Sequence, residues 1–237
     1  MALGRVVALD ALGTLVELLA PAPRLVAELG ARGVAVSEAQ AATALGAEIA
    51  YYRAHHDTAA DAASLADLRR RCGAVLGDAL TRAGADLAAL TAQRLLDALL
   101  AALRFRAYPD VPDALRALRA AGHRLVVVSN WDVSLHDMLR ETGLAPLVDG
   151  ALSSAEAGAA KPDARIFAHA LELVGARAEG GLHAGDSLEH DVAGARAAGL
   201  RPVLVARGGR PPAVPADVAV IASLSQLAAL ADYAGWP

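Results

Sequence analysis

The sequence predicts an α/β protein, a doubly wound parallel sheet interrupted by an all-helical insertion. Three observations carry this. Short β-branched runs alternate with helix-spaced segments over 106–237. One further run of the same kind, 5–9, stands apart near the start. Between the two, only long Ala/Leu-rich stretches with helical spacing occur.

The run 5–9 (RVVAL) is short and apolar and stops at Asp10 and a Gly-Thr turn, as a buried parallel strand does. From Pro21 to about Phe105, helices are predicted near 22–32, 38–57, 64–84 and 91–104, with no strand among them. Four consecutive helices imply a compact bundle. After Tyr108-Pro109-Asp110, a helix near 111–121 ends at Gly122, and 124–128 (RLVVV) forms a strand. Strands near 149–152, 181–184, 202–206 and 217–221 then alternate with helices near 134–142, 163–174, 190–198 and 223–233. The Gly- and Pro-rich stretch 207–215 reads as a surface loop. The first strand therefore belongs in space to a sheet from which the helical segment separates it in sequence. The expected domains are an α/β core, 1–16 plus 106–237, and a helical insertion, 17–105, well placed on its connecting loop to cover a site.

Composition narrows the function. A chain of 237 residues buries roughly 70% of its unfolded surface and needs no staple. Cys72, the lone cysteine, forms no intrachain disulfide, which fits a reducing cytoplasm. Net charge is −4 with no basic stripe, and Arg69-Arg70-Arg71 reads as a solvated helix face, so no nucleic-acid partner is expected. Asp10 and Glu17 interrupt the apolar N-terminus, and Arg94 and Asp97 interrupt the stretch 87–103, so neither a signal peptide nor a membrane span is expected.

Among 22 Lys and Arg residues one is lysine, Lys161, and the chain has one asparagine, Asn130. A compact ammonium fits where the broad arginine fork does not, which makes Lys161 a candidate for chemistry beside an anion. Ligands of open α/β sheets bind outside the carboxyl ends of the strands. Three predicted strands end in reactive groups, at Asp10, at Ser129-Asn130 and at Asp186. In a parallel sheet these project from one edge into one cleft, with Lys161 in a nearby loop.

Asp10-Ala11-Leu12-Gly13-Thr14-Leu15, Ser129-Asn130, Lys161-Pro162 and Gly185-Asp186-Ser187-Leu188-Glu189-His190-Asp191 together resemble the four ordered motifs of the haloacid dehalogenase-like (HAD) superfamily. The resemblance covers nearly the whole chain, and the insertion resembles that superfamily's helical cap. It implies a Rossmann-like core, magnesium dependence and, most often, hydrolysis of phosphate esters. Asp10 is then the expected nucleophile, forming an aspartyl-phosphate and splitting one difficult displacement into two. Asp186 and Asp191 add carboxylates that repel one another and an anionic substrate unless a hard cation neutralises them. The expected ligands of Mg²⁺ are Asp10, Asp186, the Leu12 carbonyl and Asp191, although Asp191 also reads as an acid complementing a helix dipole. Thr14, Ser129 and Asn130 are expected to donate to phosphoryl oxygens beside Lys161, each worth about 3–4 kcal/mol in favourable cases.

The pattern breaks at Leu12, where most HAD phosphatases carry a second Asp that protonates the leaving group. That acid is worth roughly 10²–10⁴ in rate. Three readings stay open: a phosphatase of a small phosphorylated metabolite with a good leaving group or an acid lent by Tyr51, Tyr52, His55 or His56; a 2-haloacid dehalogenase; and a phosphate-binding or regulatory protein on a decayed site. Dehalogenases of that type work without metal, lack an acid at the place of Asp186 and carry Tyr where this chain has Phe167, which favours the phosphatase. Arg53 is a candidate for substrate binding within the insertion. The protein is expected as a monomer or homodimer, with Trp131 and the insertion as candidate interfaces.

Overall fold

The computed structural model describes residues 5–209 and 213–231. Parts of the predicted 207–215 loop and of the 223–233 helix therefore lie outside the described residues. The chain divides into two compact units, Met1–Glu17 with Ala107–Pro237, and Leu18–Arg106.

The first unit is a Rossmann-like sheet. Its strands are β1 (Val6–Leu9), β4 (Arg124–Ser129), β5 (Gly150–Ser153), β6 (Leu182–Gly185), β7 (Arg201–Val205) and β8 (Ala219–Ile221). They pair in parallel in the order β5-β4-β1-β6-β7-β8. The chain builds outward from β1 to β5 and then returns to build β6, β7 and β8 on the other side. Strand order thus reverses beside β1, and its carboxyl end is the sheet's topological switch point, the crevice where such sheets bind ligands. All four residues of β1 are buried, because helices cover both faces of a parallel sheet and leave no polar side.

The helices of this unit are α5 (Val111–Ala120), α6 (Leu135–Glu141), α7 (Ser154–Ala157), α8 (Ala164–Leu173), α9 (Ala193–Ala197) and α10 (Leu227–Ala231). Ile166, Phe167, Ala170 and Leu171 of α8 recur at helical spacing and pack on Val6, Ala8, Val126 and Val128 of the sheet. Before α9 the predicted helix begins instead with a wide turn of π type, Leu188–Val192, capped by the Ser187 hydroxyl accepting from His190 N–H.

The second unit holds α1 (Pro21–Gly30), α2 (Glu38–His55), α3 (Ala62–Arg82) and α4 (Ala92–Ala102). Their starts were chemically marked: Ser37 with Gln40 and Asp61 with Ser64 form capping boxes, and Thr91 caps α4. Leu65, Leu68, Cys72, Leu76 and Leu80 line the buried face of α3. Among the described residues, no helix is long and apolar enough to cross a membrane.

One expectation fails here. The helix predicted to reach 104 ends at Ala102, and Arg104–Ala107 is a strand, β3, paired with β2 (Val16–Leu19) in a two-stranded sheet. Leu103 turns extended, and β3 alternates exposed and half-buried residues, the period-2 signature of a strand. Four residues are too few to display that period against a long helical run.

Candidate active site

Strand β1 ends by placing Asp10 at the switch point, with its N–H donating to Ala184 O of β6 at 2.9 Å. Gly13 then turns the chain with φ of 84°. A Cβ at Gly13 would lie 2.1 Å from Asp186 Oδ2, so the turn and the Asp186 carboxylate share space that only glycine leaves open. Gly185 is similar: a Cβ there would lie 2.1 Å from Asp191 Cγ. Gly185→Ala is therefore expected to destabilise the fold by about 1–3 kcal/mol through overpacking and to displace Asp191, as chemical denaturation and the loss of activity would register.

The expected residues converge. Lys161 Nζ donates to Asp10 Oδ1 at 2.6 Å and to Asp191 Oδ1 at 2.7 Å, with its side chain only 2% exposed. The Ser129 hydroxyl, at the end of β4, donates to Asp10 Oδ1 at 3.2 Å. Asp186 is exposed at the end of β6, and ligand atoms of Asp10, Asp186 and Asp191 all lie within 4.8 Å of one another. Thr14 is buried, and its hydroxyl has no hydrogen-bond partner.

Asn130 is engaged differently from the phosphate-facing role expected of it. Its amide Nδ2 donates to Lys161 O at 3.0 Å, and its Oδ1 accepts from Lys161 N–H at 2.7 Å. The two single-copy residues are thus clamped together, the asparagine bracing the backbone that presents the ammonium. The Leu12 side chain is 39% exposed, an apolar group in the turn between Asp10 and Thr14.

Burial and charge set the protonation of this cluster. Desolvation pushes Asp10 up to about 6, outweighing the attraction of Lys161, with the Asp191 charge adding to the rise. Burial acts in the same direction on Asp191, but the Lys161 charge and hydrogen bonds from His183 and Lys161 outweigh it and hold that carboxyl well below the usual range. Lys161 is opposed by desolvation and sustained by Asp10 and Asp191, which together keep it above the ordinary amine value. Asp186 is raised by the protein packed around it and then by the Asp191 charge. Three carboxylates beside one ammonium make an anionic pocket of hard oxygen donors, suited to a small divalent cation.

His183, inside β6, was missed by sequence reasoning. Its Nε2 lies 2.8 Å from Asp191 Oδ1. A histidine within an apolar strand three residues before Asp186, on the same face as Gly185, was the available signal.

Other expected residues fall elsewhere. Arg53 is exposed on α2 in the helical unit. On the same helix, Tyr51 stacks on His55 with centroids 4.1 Å apart, and in the 3-10 turn that follows it buried His56 pairs with Asp57 at 2.8 Å. Trp131 is 7% exposed, its backbone N–H donating to the Ser154 hydroxyl at 3.1 Å and its indole Nε1–H to the Ser134 hydroxyl at 3.4 Å.

The family of haloacid dehalogenase-like hydrolases matches residues 5–199. Haloacid dehalogenase-like hydrolase domain-containing protein 3 of Bos taurus is 44% identical over 124 residues, 50% of this chain and 49% of that protein. A phosphoserine phosphatase of Thermus thermophilus is 38% identical over 112 residues, 46% of this chain and 44% of that one. The chain thus spans about half the length of the curated relatives it matches. Among solved structures, a 2-haloacid dehalogenase from Pseudomonas syringae aligns with a TM-score of 0.65 at 25% identity, over 94% of this chain and 96% of that one.

Proposed function

The chain belongs to the haloacid dehalogenase-like hydrolases, and on that premise we propose that it hydrolyses a small phosphorylated metabolite through an aspartyl-phosphate at Asp10. The observation that carries the reading is the array of Asp10, Asp186 and Asp191 around the single ammonium of Lys161. Asp10 Oδ1 is held by Ser129 and Lys161, which leaves Oδ2 as the attacking oxygen. Attack forms the Oδ2–P bond as the bond to the leaving oxygen breaks. Water then attacks phosphorus and returns the carboxylate. Lys161 meets the negative charge of the phosphoryl group, Asn130 fixes the loop that carries it, and the unpartnered Thr14 hydroxyl is available to a phosphoryl oxygen.

The donor set fits Mg²⁺, held by Asp10, Asp186 and the Leu12 carbonyl, with Asp191 contributing charge behind Lys161. When bound, the ion supplies charge neutralisation between nucleophile and phosphate. The helical unit, Leu18–Arg106, is read as a cap that selects substrate, with Arg53 as a candidate contact.

Leu12 can transfer no proton, so turnover is expected to rise steeply with leaving-group acidity. Leu12→Asp should raise hydrolysis of alkyl phosphates by about 10²-fold, and no gain would show that an acid is supplied elsewhere. Leu12 also favours a second reading, 2-haloacid dehalogenation, since halide leaves without a proton. One assay separates the two: a phosphate panel and L-2-chloropropionate, each with Mg²⁺ and with chelator. Metal-dependent phosphate release supports the phosphatase, and chelator-insensitive chloride release the dehalogenase. Silence in both with retained phosphate binding supports a regulatory protein.

A further inference from the structure

The mechanism above uses every polar group of the cluster except one. His183 is fully buried on β6, with the edge of the Phe167 ring packed against it, centroids 4.9 Å apart and planes at 82°. Its Nε2 meets Asp191 Oδ1 at 2.8 Å, the oxygen that also accepts from Lys161 Nζ at 2.7 Å. Its Nδ1 is buried with no hydrogen-bond partner.

An orphaned buried polar atom costs about 1–3 kcal/mol. A leucine would pack on Phe167 without that cost, so packing alone does not account for an imidazole here. The orphan also assigns the tautomer. A proton on Nδ1 would be an unsatisfied donor among apolar neighbours, so Nε2 carries the hydrogen and donates it to Asp191. Gly185 lies on the same face of β6 and leaves the gap into which the Asp191 carboxylate fits. Asp191 is then held at both oxygens, Oδ1 by His183 and Oδ2 by Ser187 N–H at 3.0 Å.

We propose that His183 is a positioning residue: by donating Nε2–H to Asp191 it fixes the carboxylate that places the Lys161 ammonium between Asp191 and Asp10. Without that donor, Asp191 Oδ1 has only the ammonium to bond. The carboxylate follows the lysine, and the lysine leaves Asp10 and the oxygens of an incoming phosphate. The use of this placement rests on the phosphatase reading; the placement itself does not.

Because Lys161 is the only lysine, ¹⁵N-lysine labelling gives one side-chain ammonium signal. His183→Leu is expected to shift that signal and to weaken inorganic phosphate binding, measured by calorimetry in saturating Mg²⁺, by about tenfold. His183→Gln, whose amide nitrogen reaches the Nε2 position, should restore both. Should His183→Leu not fold, His183→Asn serves in its place, since its amide sits near the Nδ1 position. An unmoved signal with unchanged phosphate affinity in the folded Leu or Asn variant overturns the proposal, as does failure of Gln to restore either. If the parent protein binds no phosphate, the phosphatase reading fails while the ammonium signal still decides the role of His183.

Discussion

Asp10→Asn is expected to lower phosphate release by at least about 10⁴-fold, because the amide cannot form the phospho-enzyme. The same substitution should leave the protein as stable as its parent at low pH and more stable at neutral pH. Burial raises the Asp10 pKa from 3.8 to about 6, so the folded state holds the proton more tightly than the unfolded chain. Stability therefore falls as pH rises between those two values and stays level above them. Asparagine carries no such loss, and Lys161 keeps Asp191 as its counter-ion. Denaturation of both proteins in chelator at pH 4 and pH 7.5 checks this. A stability gap that does not widen over that interval would contradict the electrostatic account of the site.

Lys161→Met is expected to cost both activity and stability. It removes the one cation that, among the described residues, contacts both Asp10 and Asp191, and leaves two buried carboxylates facing each other. Breaking a buried pair by deleting one partner costs about 3–5 kcal/mol. Phosphate release should fall by about 10³-fold, since the charge that meets the phosphoryl oxygens is gone. The stability loss should shrink on acidification, because both carboxyls then have raised pKa values and protonation relieves their repulsion. Added Mg²⁺ should recover part of it by mass action on the folded state. Thermal melts across pH, with and without Mg²⁺, measure both effects. A melting temperature equal to that of the parent at neutral pH would mean that the ammonium is not the counter-ion of this cluster.

Much of this was legible in the residues. The β-branched runs at 5–9 and 124–128 announced buried strands because an interior parallel strand must be apolar on both faces. Asp10, Ser129 and Asp186 stood out because polar groups ending such runs project from one edge of the sheet. The strands β2 and β3 were not legible: each has four residues, and their pairing, not their composition, makes them strands. Asn130 was recognised as a functional residue, but its clamp on the Lys161 backbone arises from loops 31 residues apart and leaves no local trace. His183 was hidden because one polar residue inside a buried run looks like a tolerated exception until its partner is known.

By itself the sequence determined the type and order of the main elements along the chain and the set of groups delivered to the carboxyl ends of the strands. These follow from hydrophobic periodicity and strand polarity, which are local properties of the chain. Only the tertiary structure decided how those groups divide among themselves: Lys161 between two carboxylates, Asn130 on the lysine backbone, His183 behind Asp191. Charge and hydrogen-bond energies vary steeply over an ångström and with burial, and neither separation nor burial is written in residues more than a hundred positions apart.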